Sequence, residues 1–375
     1  MLSPQFFFNL LKDNQLSFFS GVPDSLLKSV CAYITDHSNF ESHIIAANEG
    51  SAIGLATGYY LSTGRIPVVY MQNSGIGNAI NPLLSLVDKE VYNIPMILLI
   101  GWRGEPDVKD EPQHIKQGKA TIPLFDAMGI KHMVLSTCQD EFVIQLSDTL
   151  KHIKKTEEPV AFIIKKGTFE DYALQKNTVI DFPMTRESAI RTVADAIKET
   201  SIVVATTGMI SRELFEYRTF LRQGHERDFL TVGSMGHASQ IALGIALQAK
   251  EKSVYCFDGD GAVIMHLGAL ATIGSMKPAN FFHIVFNNGA HDSVGGQPTV
   301  GFQIDIPSIA LSCGYTFAVS VKEAFELKNI LNETQTLNGP VLIEVKVKKG
   351  SRKDLGRPTT TPIQNKSTFM QFLSK

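Results

Sequence analysis

The chain has 375 residues, 44% hydrophobic and 19% charged, a globular composition that argues against disorder and, at ordinary domain size, predicts two domains. Thirty-five basic and 37 acidic residues give a formal charge of −2 with no long basic block, so no nucleic-acid partner is expected. No apolar run reaches the ~18 residues that span a membrane. The N-terminal stretch lacks a basic leader region, and Cys31, Cys138, Cys256 and Cys313 form no CxxC pair, so a cytoplasmic protein without a disulfide framework or membrane segment is expected.

In chain order, apolar runs at Ile66–Met71, Pro95–Ile100, Val160–Ile164, Ile202–Ala205, Val254–Phe257, Phe281–Phe286 and Val341–Val347 predict buried strands. Amphipathic stretches such as Ala47–Leu61 and Ala238–Ala249 lie between them and predict helices. Strand and helix in alternation define an α/β class, with mainly parallel sheets covered by helices on both faces. The polar stretch Lys165–Phe182 reads as a linker and helical signals resume at Thr185–Ser188, which sets domains of 1–180 and 181–375. After Phe257 a turn, Asp258-Gly259-Asp260-Gly261, is expected, with a helix from about Met265. Ligands of open parallel sheets gather at such carboxyl ends of strands.

The residue types there suit a hard cation and its anion. Asp260 supplies a carboxylate, and Asn288, at the end of the next predicted strand, an amide oxygen, the donors Mg²⁺ prefers. Asn287 is the weaker ligand. Alone, Gly-Asp-Gly is equally a surface turn; a nucleotide site is disfavoured because neither GxGxxG at the first helix nor GxxxxGK[ST] is present. Glu49, in Ala46–Ala52 at the start of an apolar helix, reads either as a buried carboxyl able to share a proton or as a first-turn residue favoured by the helix dipole. Met235 suits a cofactor prop or plain core. Around Arg103, Lys109, His114, Lys116 and Lys119 the chain is locally basic, fit for a small anion.

Gly259-Asp260-Gly261 followed by Asn287-Asn288 resembles the metal and diphosphate signature of thiamine-diphosphate enzymes, and Ala46–Ala52 resembles their pyrimidine-side glutamate motif. Further strings extend the likeness over nearly the whole chain: Gly21–Ser25, Gln72–Asn78, Gly101–Gly104, Asp110–His114, Asn287–Gln297 and Asp354–Pro358. The resemblance implies two thiamine-diphosphate-binding domains, pyrimidine-binding at 1–180 and diphosphate-binding at 181–375, and a 2-oxo-acid decarboxylase needing thiamine diphosphate and Mg²⁺. Carried onto this chain, it implies Mg²⁺ on Asp260, Asn288 and the Ala290 carbonyl. Cofactor contacts are implied for Glu49, Asn73, Ser74, Thr207, Gly208, Gly233, Met235, Gly259, Gly261, Ala262 and Asn288. Proton transfer falls to Glu49, with His114 and His291 as further candidates.

Many relatives carry a third domain for which this length has no room. The two-domain branch acts on 2-oxo acids bearing a phosphonate or a sulfonate. Members acting on the sulfonate are often split into two chains, so a continuous chain favours the phosphonate and a role in phosphonate biosynthesis. Asp24, Ser25, Arg103, His114, Arg352 and Arg357 are the candidate substrate contacts, because arginine forks match tetrahedral oxyanions. Self-association as a homodimer or larger assembly, with sites at subunit interfaces, is implied as well. The alternative from another class is a non-catalytic thiamine-diphosphate-binding subunit, which retention of both Glu49 and Asp260 disfavours.

Overall fold

The computed structural model describes residues 1–176 and 181–374, so the boundary expected at 180 lies outside the described residues. The chain divides into two compact units, Met1–Asn177 with Val294–Gln297, and Thr178–Ser293 with Pro298–Lys375.

The first unit holds β1 (Phe19–Gly21), β2 (His43–Ile45), β3 (Val68–Gln72), β4 (Ile97–Gly101), β5 (Lys131–Val134) and β6 (Val160–Ile164) in one six-stranded sheet of order β2-β1-β3-β4-β6-β5. The second holds β7 (Ile202–Ala205), β8 (Asp228–Leu230), β9 (Val254–Gly259), β10 (Phe281–Asn287), β11 (Phe317–Val321) and β12 (Val341–Lys346) in the order β11-β12-β10-β9-β7-β8. Every strand pairing in both sheets is parallel.

Side chains alternate across a strand, so a sheet covered on both faces needs unbroken apolar runs. The central strands show this. In the first unit Val68, Tyr70, Ile97, Leu99, Val160 and Phe162 enter one core, while Val69, Met71, Leu98, Ile100, Ala161 and Ile163 enter the other. The second unit divides likewise, with Val203, Tyr255 and Ile284 on one side and Val204, Val254 and Val285 on the other. The strands absent from the sequence reading are β1, β2, β5, β8 and β11. Four of them are sheet edges, and β2, β5 and β11 are largely half-buried or exposed, so no continuous apolar run marks them.

One local expectation is corrected. Asp258–Gly261 is not a turn followed by a helix near Met265: β9 runs on to Gly259, which stays extended and opposite Phe286, and the helix Asp260–Met265 begins at once. Asp260 is therefore in a helix's first turn. Among the described residues no helix is long and apolar enough to cross a membrane.

The second unit also contains a fully buried ion pair. Arg218, on the helix Met209–Phe220, donates from Nε to Asp228 Oδ2 at 3.0 Å and from Nη2 to Oδ1 at 3.3 Å, and both side chains are 0% exposed. Removing one partner strands the other charge in the core, so Arg218→Met is expected to cost about 3–5 kcal/mol. In chemical denaturation the double variant Arg218→Met, Asp228→Leu should regain most of that loss; equal destabilisation of single and double variants would show that the pair itself is not responsible.

Candidate functional site

In the first unit, Glu49 opens the helix Glu49–Thr63, and the preceding Asn48 accepts a hydrogen bond from the Ser51 N–H at 2.9 Å, which caps that helix. Glu49 is only 5% exposed. Asn78 Nδ2 donates to its Oε2 at 2.7 Å, and the other oxygen faces Gly75, where any Cβ would collide with Oε1. The absence of a side chain at Gly75 lets the carboxylate lie in this position. Asn78 lies in the Gln72–Asn78 string, but an amide partner for Glu49 leaves no spacing signal of its own.

A second group forms where β1, β3 and β4 end. Asp24 is 0% exposed, accepts from the Leu26 N–H at 2.9 Å, and lies where a Cβ on Gly101 would overlap its Oδ2. Burial pushes its carboxyl up to about 6, although the Leu26 N–H and the Arg103 guanidinium favour ionisation. Arg103 donates from Nε to Asp110 Oδ2 at 2.8 Å, from Nη2 to Asp110 Oδ1, and from Nη1 to Ser25 Oγ at 2.7 Å. This fork holds the Asp110 carboxyl well below the usual carboxylate range. Of the five N–H groups of a guanidinium, one on Nη1 and one on Nη2 are left by these bonds.

Asn73 departs from its expected role. Its Oδ1 accepts from the Arg103 N–H at 3.2 Å, and its Nδ2 donates to the Arg103 carbonyl at 2.8 Å and to Thr121 Oγ1 at 2.9 Å. Both ends of the amide are occupied inside the protein, so Asn73 is a clamp on Arg103 rather than an open cofactor contact. Ser74 is exposed and meets Gln72 Nε2. His114 is buried on the helix Pro112–Ala127, whose backbone crosses Gly104 so closely that a Cβ there would strike the His114 carbonyl. Lys109, Lys116 and Lys119 lie exposed, so of the locally basic stretch only Arg103 and His114 turn inward.

In the second unit, Asp260 is 2% exposed; Thr299 Oγ1 donates to its Oδ2 and the Asn288 N–H approaches Oδ1 at 3.4 Å. Burial pushes its carboxyl up to about 6. A Cβ on Gly301 would sit 2.6 Å from Oδ2. Asn288 Nδ2 donates to Asp292 Oδ2 at 2.6 Å, while its Oδ1 accepts from the Ala290 N–H at 3.1 Å. Asp292 is itself held by Arg186 Nη1 at 3.0 Å, which fixes the asparagine's orientation. Asn287 donates from Nδ2 to the Gly301 carbonyl and to Glu344, and its Oδ1 accepts from the Gly289 N–H, as the Asn288 Oδ1 does from Ala290. A buried carboxylate beside an amide oxygen fits a hard divalent cation.

Around this pair, Gly261 packs where a Cβ would lie 3.3 Å from Met235 Cε and 3.1 Å from His291 Cε1, so Met235 and His291 reach the same spot. Burial lowers His291 to about 4, which keeps its imidazole neutral at pH 7. The first-turn N–H groups of Gly261 and Ala262 lack intrahelical acceptors. Gly208, after β7 and Thr207, has φ +99°, a conformation that favours glycine. Gly233 is half-buried and Gly259 ends β9. Thr299 and Gly301 carried no sequence signal, since they come from a loop well beyond the motif.

The two C-terminal candidate arginines sit in different surroundings. Arg352 is held by Glu187 at 3.2 Å, by Asp354 at 3.1 Å and by Glu216, so three carboxylates surround it and offset its charge. Arg357 lies exposed on the segment after Leu355.

Two parallel sheets with a buried glutamate in the first unit and a buried aspartate–asparagine pair in the second define a cofactor-binding enzyme class. Residues 4–138 match the N-terminal TPP binding domain of thiamine pyrophosphate enzymes and residues 206–345 match the C-terminal TPP binding domain. The chain belongs to the thiamine pyrophosphate enzymes. It is 32% identical to a phosphonopyruvate decarboxylase of Streptomyces viridochromogenes over 95% of this chain and 91% of that one, and 31% identical to another of Streptomyces hygroscopicus over 95% and 90%. It is 28% identical to a sulfopyruvate decarboxylase of Methanosarcina acetivorans over 84% of each chain. That relative aligns with both halves, so continuity of the chain does not by itself separate phosphonate from sulfonate.

Asp24 gives a pH test of the first-unit group. Its folded-state pKa, about 6, lies above the ordinary 3.8, so the stability it contributes is present below that ordinary value and is lost as pH rises through 6. Asp24→Asn should therefore gain on the wild type by up to about 3 kcal/mol between pH 4 and pH 7. Denaturant midpoints that stay parallel across that range would contradict the upward shift of the buried carboxyl.

Proposed function

We propose that this chain decarboxylates 3-phosphonopyruvate to phosphonoacetaldehyde and CO₂ with thiamine diphosphate and Mg²⁺. The similarity to two phosphonopyruvate decarboxylases over 95% of the chain carries the reading. When bound, thiamine diphosphate supplies the electron sink for the pair left by departing CO₂. Asp260, Asn288 and the Ala290 carbonyl are the residues that would hold Mg²⁺, all oxygen donors.

Glu49 holds and exchanges a proton at Oε1, the oxygen that Asn78 leaves open. Arg103 binds the anionic end of the substrate through its remaining Nη1 and Nη2 N–H groups, with Ser25 and Asp24 beside it. Asn73 and Asp110 keep that fork in place before substrate arrives, which limits the entropy cost of binding. His114 is the first-unit candidate to protonate the product. The reading includes self-association, a cytoplasmic location, and a place in phosphonate biosynthesis. A second substrate, sulfopyruvate, is favoured by the full-length likeness to the Methanosarcina acetivorans protein.

Purified protein with thiamine diphosphate and Mg²⁺ should release CO₂ and aldehyde from phosphonopyruvate in preference to sulfopyruvate or pyruvate; preference for sulfopyruvate would move the substrate, and no turnover of any would remove the activity. Glu49→Gln should lower kcat by about 10²–10⁴-fold. Asp260→Asn should abolish Mg²⁺-dependent retention of the cofactor, read by calorimetry. Asp110→Asn should raise KM for phosphonopyruvate by roughly tenfold with little change in kcat, because it loosens a binding fork; an effect confined to kcat would assign Asp110 elsewhere. Light scattering should show an assembly larger than one chain.

A further inference from the structure

The second unit's core contains a polar group that the proposed reaction does not use. Cys256 and Asp258 alternate on β9, so they project to the same face, and the register sets His283 of β10 directly opposite Cys256. All three are buried, at 0%, 1% and 0% exposure, on the side of the sheet lined by Val254, Val285, Leu270 and Ile306. Asp258 Oδ2 lies 4.0 Å from Cys256 Sγ and 3.4 Å from His283 Nε2, and the three donor atoms fall within 4.8 Å of one another.

We propose that Cys256, Asp258 and His283 form a site for a zinc-class divalent ion, separate from the Asp260–Asn288 pair. Tetrahedral legs of about 2.3 Å to sulfur and 2.0 Å to nitrogen or oxygen put ligand atoms roughly 3.3–3.5 Å apart; the Asp258–His283 distance of 3.4 Å already matches, and closing the 4.0 Å Asp258–Cys256 distance needs a side-chain shift of about half an ångström. The histidine is already oriented for the task. Its Nδ1 meets the Tyr315 hydroxyl at 3.2 Å, the kind of outer contact that fixes a ligating imidazole, while its Nε2 points into the group without a hydrogen-bond partner. One thiolate, one carboxylate and a neutral imidazole around a divalent cation leave no net charge in an apolar core. Binding forms the metal–sulfur bond and releases the thiol proton to solvent.

The donor set selects the ion. A thiolate with an imidazole suits zinc or cobalt and not Mg²⁺, whereas Asp260 and Asn288 offer oxygen alone. Its structural consequence is a tie between β9 and β10, the two strands whose ends carry Asp260 and Asn288.

Protein produced in zinc-depleted medium with added Co²⁺ tests this directly. About one cobalt per chain with a strong near-ultraviolet thiolate-to-cobalt band is expected, lost in Cys256→Ser and His283→Gln and kept in Asp260→Asn and Cys138→Ser. Zinc content of ordinary protein, by mass spectrometry, should fall from about one per chain to background in Cys256→Ser. Absence of the band from wild-type protein would overturn the site without recourse to any variant, and a band that survives Cys256→Ser would assign the metal to another thiol.

Discussion

A parallel strand covered on both faces has little room for polar side chains along its length, because each would lose water without gaining a partner. Polar chemistry is pushed to the carboxyl ends. In the first unit the ends of β1, β3 and β4 present Asp24, Asn73 and Arg103; in the second, the ends of β9 and β10 present Asp260 and Asn288. Glycines recur beside these groups for the same reason. Gly75 and Gly101 lie against Glu49 and Asp24 so closely that a methyl group has no space, and Gly301 does the same for Asp260.

The arginine at the end of β4 is a prepared group and not a free cation. Asn73 brackets its backbone on both sides, and Asp110 takes one edge of its guanidinium. The ion pair offsets its charge, so Arg103 offers directed N–H groups more than a net positive field. In the proposed reaction, selectivity between a phosphonate and a sulfonate then rests on hydrogen-bond geometry and on further cations. The charge of Arg352 is likewise met, by Glu187, Glu216 and Asp354.

Cys256, Asp258 and His283 depart from the rule that places polar groups at strand ends. Burying a carboxylate between strands is costly unless hydrogen bonds or a cation offset it. Asp258 receives the Gly259 N–H at 3.3 Å on one oxygen and faces sulfur and imidazole on the other. A divalent ion there accounts for the choice of all three residue types at once.

The central strands β3, β4, β6, β7, β9, β10 and β12 were legible in the amino-acid sequence because burial on two faces writes itself as continuous apolar runs, and Glu49, Asp260 and Asn288 because their motifs are contiguous. The edge strands were not, since half-exposed segments carry no such run. Nor were Asn78 beneath Glu49, Thr299 and Gly301 beside Asp260, the engagement of Asn73 with Arg103, or the three carboxylates around Arg352. Sequence by itself determined the fold class and the chemical types at the strand ends, which depend on local patterning. Only the tertiary structure decided which of those side chains stay open and which are consumed by neighbours, because a hydrogen bond between residues distant along the chain depends on how separate strands and loops are brought together.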